Sequence, residues 1–443
     1  MNNSRTNIIM FLIGLGSCTK VYLGGVIAFS ELAMFAVAPF LLIKHYRELQ
    51  RSGFLAAIWL PIIMIFGCLI SCQCNGASRV AFVKSSVMFY SIFANIVVFY
   101  VVLRKDFKGI GMFFLGLFIS SIIAIFAFDP RAMVDAGSTL YVGEQDVAEK
   151  TEDVLFLYPK INALLRLPIQ GLYFKTPIAY SVGAPVIGAV VALLVSISGR
   201  ASAAMSLLAS TLILIGRKSR TSMRKLGRHF ILFILIMFIA VYVVKSLYSY
   251  TARTGMLGEE ARNKYEMQTQ GDSSLIRMLV SGRTEFFIGI RALLDSPIVG
   301  LGPYPIDHKG YNYEFFKKYG TREDYERFLA CVAYYGPSFA EHLREHSTII
   351  QFWGRSGLPG LFFVVYFFYL LFVYFRKYSY AIPQWYGYFA ISIPSTVFSL
   401  VFNPYHSRVE FPLLITCLLL VKAVGQGRLR LPYGMEMEAK KYE

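Results

Sequence analysis

The sequence predicts an all-α fold: a polytopic transmembrane helix bundle of about twelve helices with one large loop on the outer side. Three observations carry this. Of 443 residues, 56% are hydrophobic and 16% charged, with a mean hydropathy of +0.53; soluble domains carry about 25% charged residues. Apolar runs long enough to cross a bilayer recur along the chain. Lys and Arg cluster in gaps between these runs that the positive-inside rule then places on one side, the cytoplasmic one. The 16% aromatic share fits as well, because Tyr and Trp favour bilayer interfaces.

The runs occupy 8–19, 24–43, 54–72, 85–103, 108–128, 175–198, 201–216, 229–247, 356–375, 382–402 and 411–425. Lys20 interrupts the first, which should re-enter or tilt. Lys44, Arg47 and Arg51, then Arg104, Lys105 and Lys108, mark cytoplasmic ends. The densest cluster runs from Arg217 to Arg228, and Arg376, Lys377, Arg428, Arg430, Lys440 and Lys441 follow. Both termini are then cytoplasmic. Residues 104–108 and 217–228 share a side only if an even number of crossings separates them, so a further crossing is expected at 153–172, despite Lys160 and Arg166. The organisation is an N-terminal bundle at 1–247, an outer loop at 248–346, C-terminal helices at 347–427 and a tail at 428–443.

A net charge of +17 reflects orientation, and no nucleic-acid partner is expected, because the cations are scattered between apolar runs. Six cysteines show no zinc spacing, so neither a disulfide framework nor a metal is expected. The first span should be retained, because no small-residue cleavage site follows it.

The long loop carries its own helix. From Arg283 onward Phe286, Phe287, Ile290, Leu293 and Leu294 recur at spacings of three and four, and Asp295-Ser296-Pro297 stops the helix. Gly300 and Gly302 make a tight turn. Beyond His346 the glycines at 354, 357 and 360 permit close helix packing, and Pro359 a kink.

Three residues converge by topology on the outer side. Arg200, between two apolar runs, lies where positive charge is least expected. Arg283 opens the loop helix, and His346 stands where the loop re-enters the membrane. Arginine binds a diphosphate bidentately and keeps its charge. A reaction with a diphosphate leaving group needs such compensation. Histidine is the natural base for an acceptor hydroxyl. Arg408 and Glu410 of the last outer loop are further polar candidates, Arg291, Arg344 and Arg355 could line the same basin, and Tyr304, Tyr311 and Tyr313 could stack on sugar rings.

The arrangement resembles the bacterial O-antigen ligases and O-antigen or exopolysaccharide polymerases. Ser198-Gly199-Arg200-Ala201 is similar to that family's Arg step heading a transmembrane helix. Arg283 through Asp295-Ser296-Pro297-Ile298-Val299-Gly300-Leu301-Gly302 resembles its loop motif. His346-Ser347 through Gly357-Leu358-Pro359-Gly360-Leu361 resembles its His-Asn and Gly-(Leu/Ile)-x-Gly stretch, with Ser347 where Asn is commoner. The resemblance covers roughly 175–375 by motif and the N-terminal spans by hydropathy alone.

The resemblance implies a glycosyltransferase of the bacterial inner membrane that needs no metal or other cofactor. Its donor would be a glycan on undecaprenyl diphosphate, its acceptor a glycan or lipid A-core, and its loop periplasmic. Arg200 and Arg283 would bind the diphosphate, and His346 would activate the acceptor. Two other classes stay open. A glycan-lipid flippase would show ionisable residues in mid-span and broken helices. A non-catalytic membrane scaffold would tolerate loss of all three residues.

Overall fold

A computed structural model describes residues 3–17, 20–22, 26–106, 109–127, 246, 249–251, 253–254, 256, 284–319, 322–335, 341–343, 345, 347–378, 381–382, 385–402, 405 and 409–430. Within these the regular secondary structure is helical, apart from one short antiparallel ribbon, β1 (Lys20–Tyr22) with β2 (Val26–Ala28), and the isolated Ile306–His342 bridge. The N-terminal helices are α1 (Asn3–Gly16), α2 (Phe29–Ser52), α3 (Leu55–Cys74), α4 (Arg79–Leu103) and α5 (Gly109–Ala127). The loop contributes α6 (Thr284–Asp295), α7 (Tyr311–Tyr319) and α8 (Arg322–Tyr335). Then come α9 (Thr348–Ser356), α10 (Leu358–Val373) with a π turn (Tyr374–Tyr378), α11 (Tyr386–Phe402) and α12 (Glu410–Gly425). The expected spans at 153–172, 175–198 and 201–216, and all but Ser246 of 229–247, lie outside the described residues.

Three described helices are long and apolar enough to cross a membrane: Leu55–Cys74, Arg79–Leu103 and Leu358–Tyr378. The α4 helix is the axis of the bundle. Every residue from Ser91 to Leu103 is buried, so this stretch is covered on all faces, as a central helix is, and all but a few of its residues are apolar. It starts six residues before the apolar run because the Ser78 hydroxyl accepts from Ala81 N–H at 3.2 Å and caps it. Around it pack α2, α3, α12 and, more lightly, α1 and α5. Outward-facing Phe40, Ile43, Phe66, Ile70, Phe362 and Val365 give the bundle the apolar exterior that lipid requires.

The α1 and α5 helices lie backbone against backbone. A Cβ on Gly14 would overlap the Phe113 carbonyl, and one on Gly116 the Phe11 carbonyl. Small residues in this role allow helices to associate without a hydrophobic driving force. The α1 helix ends at the level where α2 begins, since the Ser17 and Ser30 hydroxyls lie 3.3 Å apart. The ribbon bridges the two.

The first turn of α2 carries a buried charge. Glu31 is 2% exposed and accepts from Ala28 N–H at 2.9 Å and from the Ser91 hydroxyl at 2.7 Å. Ser91 is midway along the 25 residues of α4, about 18 Å from either end. The carboxylate caps α2 and ties it to the axis, which offsets part of the cost of burying it.

The two ends of the bundle differ. At one, Arg104 pairs with Glu48 and approaches His45 Nδ1 at 3.0 Å, and Arg428 lies beside Gly53. At the other, the α3–α4 turn meets the loop, with Asn75 Nδ2 donating to Gly300 O at 3.3 Å.

Candidate functional site

The site begins with a turn. Ser296 accepts at its carbonyl from Gly300 N–H at 3.0 Å, and its hydroxyl donates to Gly300 O at 2.9 Å. This stops α6 where the sequence placed its stop. Gly300 and Gly302 follow at φ +82° and +80°, a region that side-chain-bearing residues enter only at a cost. Leu301 and Gly302 N–H both donate to Gly354 O, at 2.7 and 3.0 Å. Leu358 N–H donates to Ile298 O at 2.9 Å, and Trp353 Nε1 to Pro297 O at 2.8 Å. The Gly-x-Gly loop and the Gly354–Gly360 stretch are therefore docked on each other, although about fifty residues separate them in sequence. A Cβ on Gly300 would overlap the Gly354 carbonyl, and one on Gly357 the Ile298 carbonyl. Gly357, at φ +66°, also breaks α9 from α10. Pro359 sits in the first turn of α10, where no intrahelical N–H is required, so it starts a helix rather than kinking one.

The loop helix α6 lies on α9 at Gly289, where an added Cβ would press on Ile350. This contact sets its rotation. The buried stripe is Ile288, Ala292 and Leu293, while Phe287 and Leu294, expected inward, are exposed.

Between α9 and the axis lies a buried charge network that sequence reasoning did not assemble. Arg355 is 7% exposed. Its Nε donates to both Glu345 carboxylate oxygens, at 3.1 and 2.9 Å, and its Nη2 to Glu345 Oε2. Its Nη1 donates to the Ser85 hydroxyl of α4 at 3.2 Å, and its guanidinium lies over the Tyr304 ring at 4.8 Å. Tyr304 holds a left-handed φ of +54°, uncommon for a residue with a side chain. Arg355, expected in the basin, is thus a structural cation joining α9, α4 and the loop. The Ser347 hydroxyl donates to Leu400 O in α11 at 2.9 Å, and Gln351 Oε1 accepts from Tyr405 N–H at 2.7 Å. The residues on either side of His346 in sequence, Glu345 and Ser347, are each anchored to a different helix.

Besides Arg355, the expected site arginine that is described is Arg291. It is exposed, with Nη1 3.3 Å from Asp295 Oδ1. Arg200, Arg283, Arg344, His346 and Arg408 lie outside the described residues. Asp295 also accepts from the Tyr311 hydroxyl at 2.7 Å and from Lys309 Nζ at 3.2 Å. The Tyr311 hydroxyl first, then the two cations, hold the Asp295 carboxyl below the usual carboxylate range. Burial, then Asp295, pushes the Tyr311 phenol up. Asp307 caps α7, its carboxylate accepting from Tyr311 and Asn312 N–H, both at 2.8 Å. Tyr313 packs edge-on against Phe328.

These segments enclose a cleft of about 450 Å³ between the loop and the α3–α4 turn. The chain matches no family model, no curated protein and no solved structure.

Proposed function

We propose that the chain is an inner-membrane glycosyltransferase resembling the O-antigen ligases and polymerases, which moves a glycan from undecaprenyl diphosphate to an acceptor hydroxyl on the periplasmic face. The observation that supports this reading best is the docking of the Gly-x-Gly loop on the Gly354–Gly360 stretch. Two motifs that the resemblance drew from separate parts of the sequence form one unit, at the end of the bundle away from the Arg104 and Arg428 cluster.

In the proposed reaction the acceptor oxygen bonds to the anomeric carbon as the bond from that carbon to the diphosphate oxygen breaks. His346 takes the hydroxyl proton, and the diphosphate leaves with the bonding pair. Arg200 and Arg283 compensate the charge that develops on it. Anchoring Glu345 and Ser347 serves this chemistry, because a base must be held in reach of its proton.

The flippase reading calls for an ionisable residue in mid-span, and Glu31 is at that depth. Its carboxylate already has a structural task in capping α2, so it does not favour transport.

The test is a deletion strain complemented with wild type, His346→Ala or Arg200→Lys, with surface and lipid-linked polysaccharide run on gels. Both variants should lose glycan transfer at normal membrane abundance, since an ammonium cannot reproduce the bidentate fork. Glycan piling up on the carrier identifies a ligase, and products of one repeat a polymerase. Wild-type patterns from both variants would refute the reading.

A further inference from the structure

The cleft at the loop end is built by segments that the motif packing does not require. Its volume, about 450 Å³, falls in the range of roughly 300–1,000 Å³ common for small-molecule sites. One wall is the α3–α4 turn with Asn75 and Ser78, and the other is the loop from Pro303 to Tyr311 with His342. Four planar rings line it, those of Tyr304, His308, Tyr311 and His342. The lining also includes Asn75, Ser78, Ser296, Asp295 and Lys309.

This lining has a definite chemistry. Rings offer flat apolar faces to the C–H faces of a pyranose, and the interspersed amide, hydroxyls and carboxylate match its hydroxyls. It does not suit a diphosphate. Among the described lining residues there is no arginine, and the one lysine has its ammonium on Asp295 at 3.2 Å.

Two of the rings are also held in advance of any ligand. Tyr304 is backed by the buried Arg355 guanidinium at 4.8 Å, and Tyr311 is fixed by its hydrogen bond to Asp295 at 2.7 Å. The strand-like pairing of Ile306 with His342, and Leu343 N–H donating to Pro305 O at 2.9 Å, join the two loop segments. A rigid aromatic site loses little entropy on binding.

We propose that this cleft is a saccharide subsite that seats an uncharged acceptor glycan. The assignment of the glycan as acceptor rests on the transferase reading above; saccharide binding itself does not. An uncharged glycan in this place makes the growing polysaccharide, rather than a phosphorylated lipid headgroup, the partner of the cleft.

The full chain in nanodiscs, on an array of neutral and acidic oligosaccharides with inorganic pyrophosphate as competitor, tests this. Neutral oligosaccharides should bind, and pyrophosphate should not displace them. His308→Ala, at an exposed ring, should weaken binding about tenfold at an unchanged melting temperature; Tyr304→Ala should weaken it likewise and also lower the melting temperature through the lost Arg355 contact, whereas Tyr304→Phe should do neither. Capture of acidic glycans alone, displacement by pyrophosphate, or no glycan binding would each overturn the proposal. Because the array needs no turnover, its failure is separable from failure of the transferase reading. Binding that persists in a protein shown not to transfer glycan would leave a saccharide site without the enzyme.

Discussion

Replacing Arg355 by Met isolates the network that joins α9, α4 and the loop. The substitution keeps an unbranched chain of similar length and removes the guanidinium. Glu345, whose side chain is 8% exposed, then loses all three of its hydrogen bonds from Arg355. Removing one partner of a buried pair costs about 3–5 kcal/mol. Loss of the cation over the Tyr304 ring at 4.8 Å adds about 0.5–2 kcal/mol. The double variant Arg355→Met with Glu345→Gln leaves no uncompensated charge, and exchanging a buried pair for uncharged groups is often close to neutral. The double variant should therefore be more stable than Arg355→Met alone, with a coupling of about 2–3 kcal/mol, within the range for side chains in direct contact. Thermal unfolding of the detergent-solubilised chain, followed as the monodisperse fraction after heating, reads both. Additive losses, or a melting temperature for Arg355→Met equal to wild type, would refute the account of the pair.

Three further outcomes follow from the geometry. Gly300→Ala and Gly310→Ala both place a side chain at positive φ, but a Cβ at 300 meets the Gly354 carbonyl while one at 310 meets nothing within 4 Å; thermal unfolding should show a cost of about 1–2 kcal/mol at 310 and about 2–5 kcal/mol at 300. Asp295 has its folded pKa lowered, so its contribution to loop docking is present above the ordinary carboxylate value of about 3.9 and is lost as pH falls through the lower folded value; limited proteolysis within 296–312 should accelerate only below that value, and Asp295→Asn should remove the dependence. Cys74 is exposed while Cys68, Cys72 and Cys417 are buried; with Cys18 and Cys331 replaced by Ser, a membrane-impermeant maleimide should label spheroplasts at Cys74 alone, and failure to label would reverse the proposed orientation.

Hydropathy located helices where lipid and helix impose the same requirement. The runs at 54–72, 108–128 and 411–425 match α3, α5 and α12 within two residues. It misplaced α2, expected at 24–43 and found at Phe29–Ser52. Val26–Ala28 of that run form β2 of the ribbon, and the last turns of α2 are a polar tail that stays helical until Gly53 at φ +81°. Periodicity found the loop helix but not its rotation, because Gly289 under Ile350 is a tertiary contact with no local signal. The motif glycines were legible as close contacts, though not their partners. The charge network was not legible, because Arg355 is ten residues from Glu345 and 270 from Ser85. Nothing local marks such residues as a set, and Arg355 read alone resembles any basic residue near an interface.

The most direct test of the central claim is release of undecaprenyl diphosphate by the purified full chain, given a lipid-linked glycan and an acceptor glycan in nanodiscs. The account predicts release coupled one-to-one to new glycosidic bonds, abolished by His346→Ala and unaffected by chelators. Release and bond formation by the His346→Ala protein at the wild-type rate, or glycan-lipid crossing the bilayer with its diphosphate bond intact, would contradict it.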